Sequence, residues 1–276
     1  MIFDLHCHTL LSDGTLTPAE LVARAAAMGV DVLAITDHDT LDAWPEARRA
    51  TASLPGAIRL VPGVEFSTRW ETIGIHVLGL NVDPASGAME AGVRYQTEAR
   101  LERARRIGER LAKQGIAGAF DGAAALSAGG YIGRPQFARH LVAIGKAGSV
   151  EDAFRRYVGD SLVGDIRQHW ANLPQVVEWI RAAGGVAVLA HPLKYKLTRS
   201  KLKRLLADFM RAGGEGMEVI SGQQPLQQTA SLAKLCEQLG LLASCGSDFH
   251  EPGNPWSELG RFRALPAYLA PVWERF

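Results

Sequence analysis

The sequence predicts an α/β protein built on a parallel sheet or barrel, interrupted by one all-helical insertion. Seven short apolar runs read as strands covered on both faces. Helical patterns separate most of them, and repeated β-α units build parallel sheets and barrels. Between about Arg94 and His169 the pattern changes, and no strand-like run is found there.

The first strand runs from about Ile2 to His6. In the following "TPAELVARAAAMG", Thr17 and Glu20 form a capping box, Pro18 suits the first helical position and Gly29 suits the exit. "DVLAIT" (Asp31–Thr36) is the second strand. A helix around Asp42–Thr51 leads to "IRLVPGVEF" and then "IGIHVLGL", strands three and four. The insertion holds a charged helix, "EARLERARRIGERLAKQG", a second opened by Pro135, "RPQFARHLVAIG", and a third, "SVEDAFRRYVG". "GGVAVLAHP", "GMEVIS" and "LLASCGS" are strands five to seven, with helices at Ser200–Arg211 and Pro225–Leu239 between them. We therefore expect a barrel from residues 1–93 and 170–276, and a helical insertion, 94–169, that caps the substrate.

Composition excludes several classes. The 276 residues are 47% hydrophobic and 21% charged, with a net charge of +1, so no strong field draws nucleic acid or membrane. Cys7, Cys236 and Cys245 are too few and too scattered for a disulfide framework, which points to a reducing compartment. The start lacks a basic, apolar leader, and no run approaches the ~18 apolar residues of a membrane helix. A cytoplasmic protein with no membrane or protein partner is expected.

Potential ligands gather at strand ends. His6 and His8 close strand one, one residue apart, so both imidazoles face the same way. Asp13 follows in the next loop, His38 ends strand two, Glu65 ends strand three and His76 lies in strand four. His191 ends strand five, and Asp248 and His250 end strand seven. In a parallel barrel these ends converge on one face, where active sites sit. A lone histidine is usually a core or surface residue. Six of them with several carboxylates on one face would carry large desolvation and repulsion costs unless divalent cations bind them. Imidazole and carboxylate suit zinc, manganese or iron, and the lack of cysteine argues against a purely structural zinc site. At three or four ligands per ion, nine candidates suit two or three ions, with Glu65 the expected bridge. Clustered ions in an open site suggest phosphoryl hydrolysis by metal-activated hydroxide.

The motifs "DLHCHTLLSDG", "AITDHDT", "GVEFS", "LAHP" and "GSDFH" resemble those of the PHP (polymerase and histidinol phosphatase) superfamily, over nearly the whole chain outside the insertion. The insertion with its "YIGRPQFARHL" stretch is similar to the branch of small bacterial phosphoesterases that holds 3′,5′-nucleoside bisphosphate phosphatases and enzymes trimming 5′ ends of short RNA. The resemblance implies a distorted (βα)7 barrel and a trinuclear metal centre. By motif, His6, His8, Glu65 and Asp248 hold one ion, Glu65, His76 and His191 a second, and Asp13, His38 and His250 a third. Manganese is the favoured metal, with zinc or iron as alternatives. Gln136 stands where the branch often has histidine.

Arg134 opens a helix just before Pro135, and a helix N-terminus with a guanidinium makes a phosphate site, so both are substrate-binding candidates. Arg100, Arg103 and Arg106 share roughly one helix face. That face reads equally well as solvated or as a second phosphate clamp, with Arg100 and Arg103 the better candidates. Lys194, near Lys196 and Arg199 above strand five, is a further substrate candidate. Asp37 reads as an orienting carboxylate for His38 or as a turn residue, and Asp39 as a turn or capping residue. Cys7 packs, and His140 and His169 are set aside as ligands, with His140 a weak substrate candidate.

The expected activity is metal-dependent removal of the 3′-phosphate from nucleoside 3′,5′-bisphosphates such as pAp. His38 and His250 would contact phosphoryl oxygens or move a proton, Asp248 would complete the catalytic set, and Arg134 would grip the second phosphate. The alternatives are a 5′→3′ exoribonuclease on short RNA ends, a histidinol phosphate phosphatase and a non-catalytic nucleotide sensor.

Overall fold

The computed structural model describes residues 1–54, 56, 58–127, 130–159, 162 and 170–276. His169 lies outside them. Seven strands pair in chain order: β1 (Phe3–Asp4), β2 (Val32–Ile35), β3 (Arg59–Trp70), β4 (Ile73–Leu80), β5 (Val186–Leu189), β6 (Gly216–Ser221) and β7 (Leu242–Gly246). The two ends of this sheet meet. The Leu5 N–H donates to the Cys245 carbonyl (3.1 Å) and the Asp248 N–H to the His6 carbonyl (2.8 Å), so the sheet nearly closes into a barrel.

Alternation along the strands explains why both faces are apolar. Val32 and Ala34 pack inward with Leu5, Val61, Leu78 and Val188. Leu33 and Ile35 pack outward against α1 (Pro18–Ala27) and α2 (Trp44–Ser53), with Leu21, Val22, Ala25 and Ala47. α1 starts at the expected capping box, with Thr17 and Glu20 bonded reciprocally. α7 (Leu173–Ala182), α8 (Arg199–Arg211) and α9 (Leu226–Leu239) cover the far side.

The expected all-parallel order is corrected at one strand. β4 runs antiparallel to both β3 and β5, while the remaining neighbours are parallel. The reason is local. Only Glu71 and Thr72 separate β3 from β4, and Glu71 turns with φ of 54°. A parallel crossover needs a dozen or more residues, so this link permits only a hairpin. β3 also continues to Trp70, which places Glu65 within the strand rather than at its end.

The helical segment begins earlier than residue 94. α3 (Gly87–Lys113) is capped by the Ser86 side chain, which accepts from the Met89 N–H. Its start belongs to the barrel: Met89 is buried in the barrel's core, and Gly92 meets the Trp179 ring so closely that a Cβ would lie 2.9 Å from it. Its later turns build a second core. Ala104, Ile107 and Leu111 pack with α4 (Ala119–Ala125), α5 (Arg134–Ala143) and α6 (Val150–Ala153) through Ala123, Phe137, Leu141 and Ala153. One helix therefore ties the two cores together.

Candidate metal centre

Glu65 sits at the middle of the ligand cluster. Its Oε1 lies 2.9 Å from His76 Nδ1 and 2.8 Å from His191 Nε2. Its Oε2 lies 3.0 Å from His38 Nδ1, 3.3 Å from His8 Nε2 and 3.4 Å from His6 Nε2. Asp248 Oδ1 faces His8 Nε2 (3.4 Å), His6 Nε2 (3.5 Å) and His250 Nδ1 (3.7 Å). Asp13 faces His250 Nε2 (3.3 Å), His38 Nε2 (3.6 Å) and His8 Nδ1 (3.8 Å). All nine expected ligands thus meet at one end of the barrel. They fall into four overlapping groups: His8, Asp13, His38 and His250; His6, His8 and Asp248; His6, Glu65 and His191; and His38, Glu65 and His76. Each group's ligand atoms lie within 4.8 Å of one another. Because β4 runs backwards, His76 enters this end from within its strand.

The cluster fits divalent cations on its own geometry. Although buried, Glu65 Oε2, His38 Nδ1 and His191 Nδ1 make no hydrogen bond. Buried polar atoms are nearly always paired, so imidazoles crowding Glu65 Oε2 without bonding it leave a shared demand that a cation meets. Electrostatics agree. Burial alone would raise the carboxyls of Glu65, Asp13 and Asp248, but the surrounding imidazoles, and Lys194 beside Asp248, hold all three well below the ordinary range. Burial opposes charge on His8 too, yet Asp248 and Glu65 push it up to about 10. His6 is likewise raised, against burial, by Glu218 and Glu65. Burial prevails at His38 and His191, which are lowered. The donor set, imidazole and carboxylate without thiolate, suits manganese, zinc or iron.

Supporting carboxylates hold the cluster in place. Glu218, in the middle of β6, accepts from His6 Nδ1 (2.9 Å) and from the His191 N–H (2.5 Å). Sequence reasoning misses it. The available signal is a single glutamate inside the apolar run "GMEVIS", since a buried charge needs a partner. Asp4 accepts from the Ser247 N–H (2.8 Å) and the Gly260 N–H (2.9 Å), bracing the turn before Asp248, and burial pushes its carboxyl up to about 6. Asp37 does not bond His38. It accepts from the Thr9 N–H (2.7 Å), Thr9 Oγ1 (2.6 Å) and Ser12 Oγ (2.6 Å), pinning the loop that carries Asp13. His191 (φ 26°) and Asp248 (φ 54°) are held in left-handed backbone, a strain typical of functional turns.

The candidate substrate residues divide. Arg100 is buried and ion-paired with Asp39, and its guanidinium lies 4.1 Å over the Tyr131 ring and 4.9 Å over Trp170. Asp39 thus already meets much of the charge of Arg100. Asp39 is more than a turn residue: besides Arg100 it accepts from the Ser67 N–H (2.7 Å) and Gln96 Nε2 (2.9 Å). Tyr131 in turn stacks on His38, with ring centroids 6.1 Å apart. Arg103 is also buried, 5.7 Å from the Trp170 ring. Arg134 is the first residue of α5, followed by Pro135, and lies 5.8 Å from the Phe154 ring. Lys194 Nζ pairs with Asp248, and its side chain is 57% exposed. His140 packs against Gly122 among the helices and belongs to none of the ligand groups. Gln136 bridges the helical segment and the barrel, accepting from the Gly133 N–H (3.0 Å) and donating to the Ser12 carbonyl (3.1 Å). Arg139 donates to the Asp13 carbonyl (3.3 Å). Cys7, Cys236 and Cys245 are buried and unpaired.

Residues 4–158, more than half of the chain, match the family model described as the PHP domain. The chain belongs to the PHP family. It is 45% identical over 274 residues to a 5′-3′ exoribonuclease of Haemophilus influenzae, covering 99% of this chain and 98% of that protein. It is 47% identical to the 5′-3′ exoribonuclease Rnm of Escherichia coli, covering 99% and 93%. It is 43% identical over 271 residues to a 3′,5′-nucleoside bisphosphate phosphatase of Chromobacterium violaceum, covering 98% and 94%. A structure from Chromobacterium violaceum, described as an amidohydrolase with bound sulfate and no metal, superposes on this PHP chain with a TM-score of 0.89 at 42% identity, covering 99% and 95%. No helix among the described residues is long and apolar enough to cross a membrane.

Proposed function

We propose that this PHP protein is a metal-dependent phosphoesterase that removes the 3′-phosphate from nucleoside 3′,5′-bisphosphates such as pAp. The carrying observation is the set of imidazoles around an unbonded, buried Glu65 Oε2. Divalent ions, manganese first, would be held by His6, His8, Asp13, His38, Glu65, His76, His191, Asp248 and His250, and would activate water and neutralise phosphoryl charge. Water's oxygen bonds to phosphorus, the P–O3′ bond breaks, and a proton ends on O3′, giving AMP and phosphate.

The chain's own groups position that reaction. His38 and His250 form the substrate-facing edge, where the His250 side chain is 34% exposed. They contact phosphoryl oxygens or carry the proton toward O3′. Lys194, held on Asp248, adds a cation beside the cluster. Residues 94–169 serve as the cap, and Arg134 with the N-terminus of α5 grips the 5′-phosphate.

A second reading has its own support, since exoribonucleases are named among relatives at 45% and 47% identity. The bond cleaved is the same. A 5′-phosphorylated RNA is a bisphosphate whose 3′-phosphate carries more chain, so cleavage releases a 5′-mononucleotide and a shortened RNA with a 5′-phosphate. Manganese-loaded protein assayed on pAp, 5′-AMP, 3′-AMP and short RNA tests both readings. Preference for pAp over 3′-AMP is expected, and Arg134→Ala should lower kcat/KM on pAp about tenfold more than on 3′-AMP. Equal loss on both would remove Arg134 from the second phosphate.

A further inference from the structure

We infer that a cavity beside β6 seats the nucleoside immediately downstream of the bond cleaved in a 5′-phosphorylated oligoribonucleotide. The inference rests on the phosphoesterase reading above and, for its short-RNA form, locates the nucleoside that lies beyond the cleaved bond.

The cavity holds about 280 Å³, lined among others by Pro192, Leu193, Ser221, Gln228 and Leu232. It adjoins the ligand cluster, because the candidate ligand His191 lines it, together with Glu218 and Lys194, which are paired with His6 and Asp248. Its position relative to the cap matters. α5 is bonded to the Ser12 and Asp13 carbonyls, and Tyr131 lies on His38, so the cap covers the Asp13–His38 flank. The cavity adjoins the His191 flank. A substrate whose 5′-phosphate is held by Arg134 therefore places its reacting phosphorus at the cluster and whatever follows the 3′-phosphate in the cavity.

The lining suits a nucleoside. Pro192, Leu193 and Leu232 give an apolar wall for a base, while the Ser221 hydroxyl is buried without a hydrogen-bond partner and Gln228 offers an amide at the rim. Apolar walls with a few converging polar groups are the usual make-up of a ligand pocket, and drug-sized pockets run from about 300 Å³ upward, so this one matches a single base and sugar. Gln224 keeps the wall in shape, donating to the Val219 carbonyl (2.6 Å) and Thr229 Oγ1 (2.9 Å). For pAp the cavity stays unused; for RNA it does not.

Filling the cavity tests this. Gln228 is exposed at the start of α9 and Leu193 is 37% exposed, so a tryptophan at either position leaves the core alone. The readout is the ratio of kcat/KM for the 5′-phosphorylated dinucleotide pApA to that for pAp. Gln228→Trp or Leu193→Trp should lower this ratio at least about tenfold, the weight of one base contact. A ratio within about twofold of wild type in both variants overturns the subsite. A wild-type protein that hydrolyses neither compound overturns the phosphoesterase reading instead.

Discussion

At the residue scale, Glu218 shows how an unseen carboxylate can govern a metal centre. It holds His6 by its second ring nitrogen and His191 by its backbone. Such partners fix the tautomer and orientation of a ligand. Glu218→Gln should therefore weaken manganese binding by about ten- to a hundredfold with little change in fold, measured by metal titration and melting. Unchanged affinity would make Glu218 a packing residue. The short loop after β1 invites a second prediction. His8 and Asp13 share one ligand group, but His8 also belongs to a group without Asp13. His8→Asn and Asp13→Asn should thus leave proteins with different residual metal content by elemental analysis, and identical content would refute separate sites. Most of the nine candidate ligands are legible because they follow strand ends beside turn residues, while Glu65 and His76 lie inside β3 and β4 and stand out as polar residues in apolar runs. Glu218 is not, because its partners lie 212 and 27 residues away in the chain.

Among the elements, α5 and the Thr9–Gly14 loop act together. Asp37 gathers the loop from below, while Gln136 and Arg139 hold it from α5. Gly14 permits the tight return, since a Cβ there would lie 2.5 Å from the His8 carbonyl oxygen. Gln136→Leu removes both bonds of that side chain. It should raise KM for pAp several-fold while bound metal stays at the wild-type level, and a loss of metal with unchanged KM would contradict the bridging role. The α/β alternation, the capping box of α1 and the helical insertion are all legible as patterns. The direction of β4 is legible only in the two-residue link Glu71-Thr72, which an apolar pattern ignores. Arg100 looks like a surface cation because its acceptor, Asp39, is 61 residues away.

For the molecule as a whole, the raised histidines of the cluster make stability depend on pH. His8 is pushed up to about 10 from an ordinary 6.5, and His6 is also raised. A raised histidine adds stability that is complete below its unfolded value and disappears as pH rises through the folded one. The metal-free protein should therefore melt at lower temperature as pH climbs from 6.5 toward 10, while metal binding tightens over the same range because ligand protons are released. Thermal melts with and without manganese check both signs; a metal-free melting point that rises over this window would contradict the protonated cluster.

We propose that nine side chains from most of the barrel's strands and loops hold two or three cations in one centre. Elemental analysis of purified, manganese-loaded protein, with phosphate release from pAp followed in the same samples, tests it most directly. Two or three metal equivalents per chain, with turnover lost and regained as they are chelated and restored, is the predicted result. A single equivalent or none, with turnover indifferent to chelation, would contradict the account.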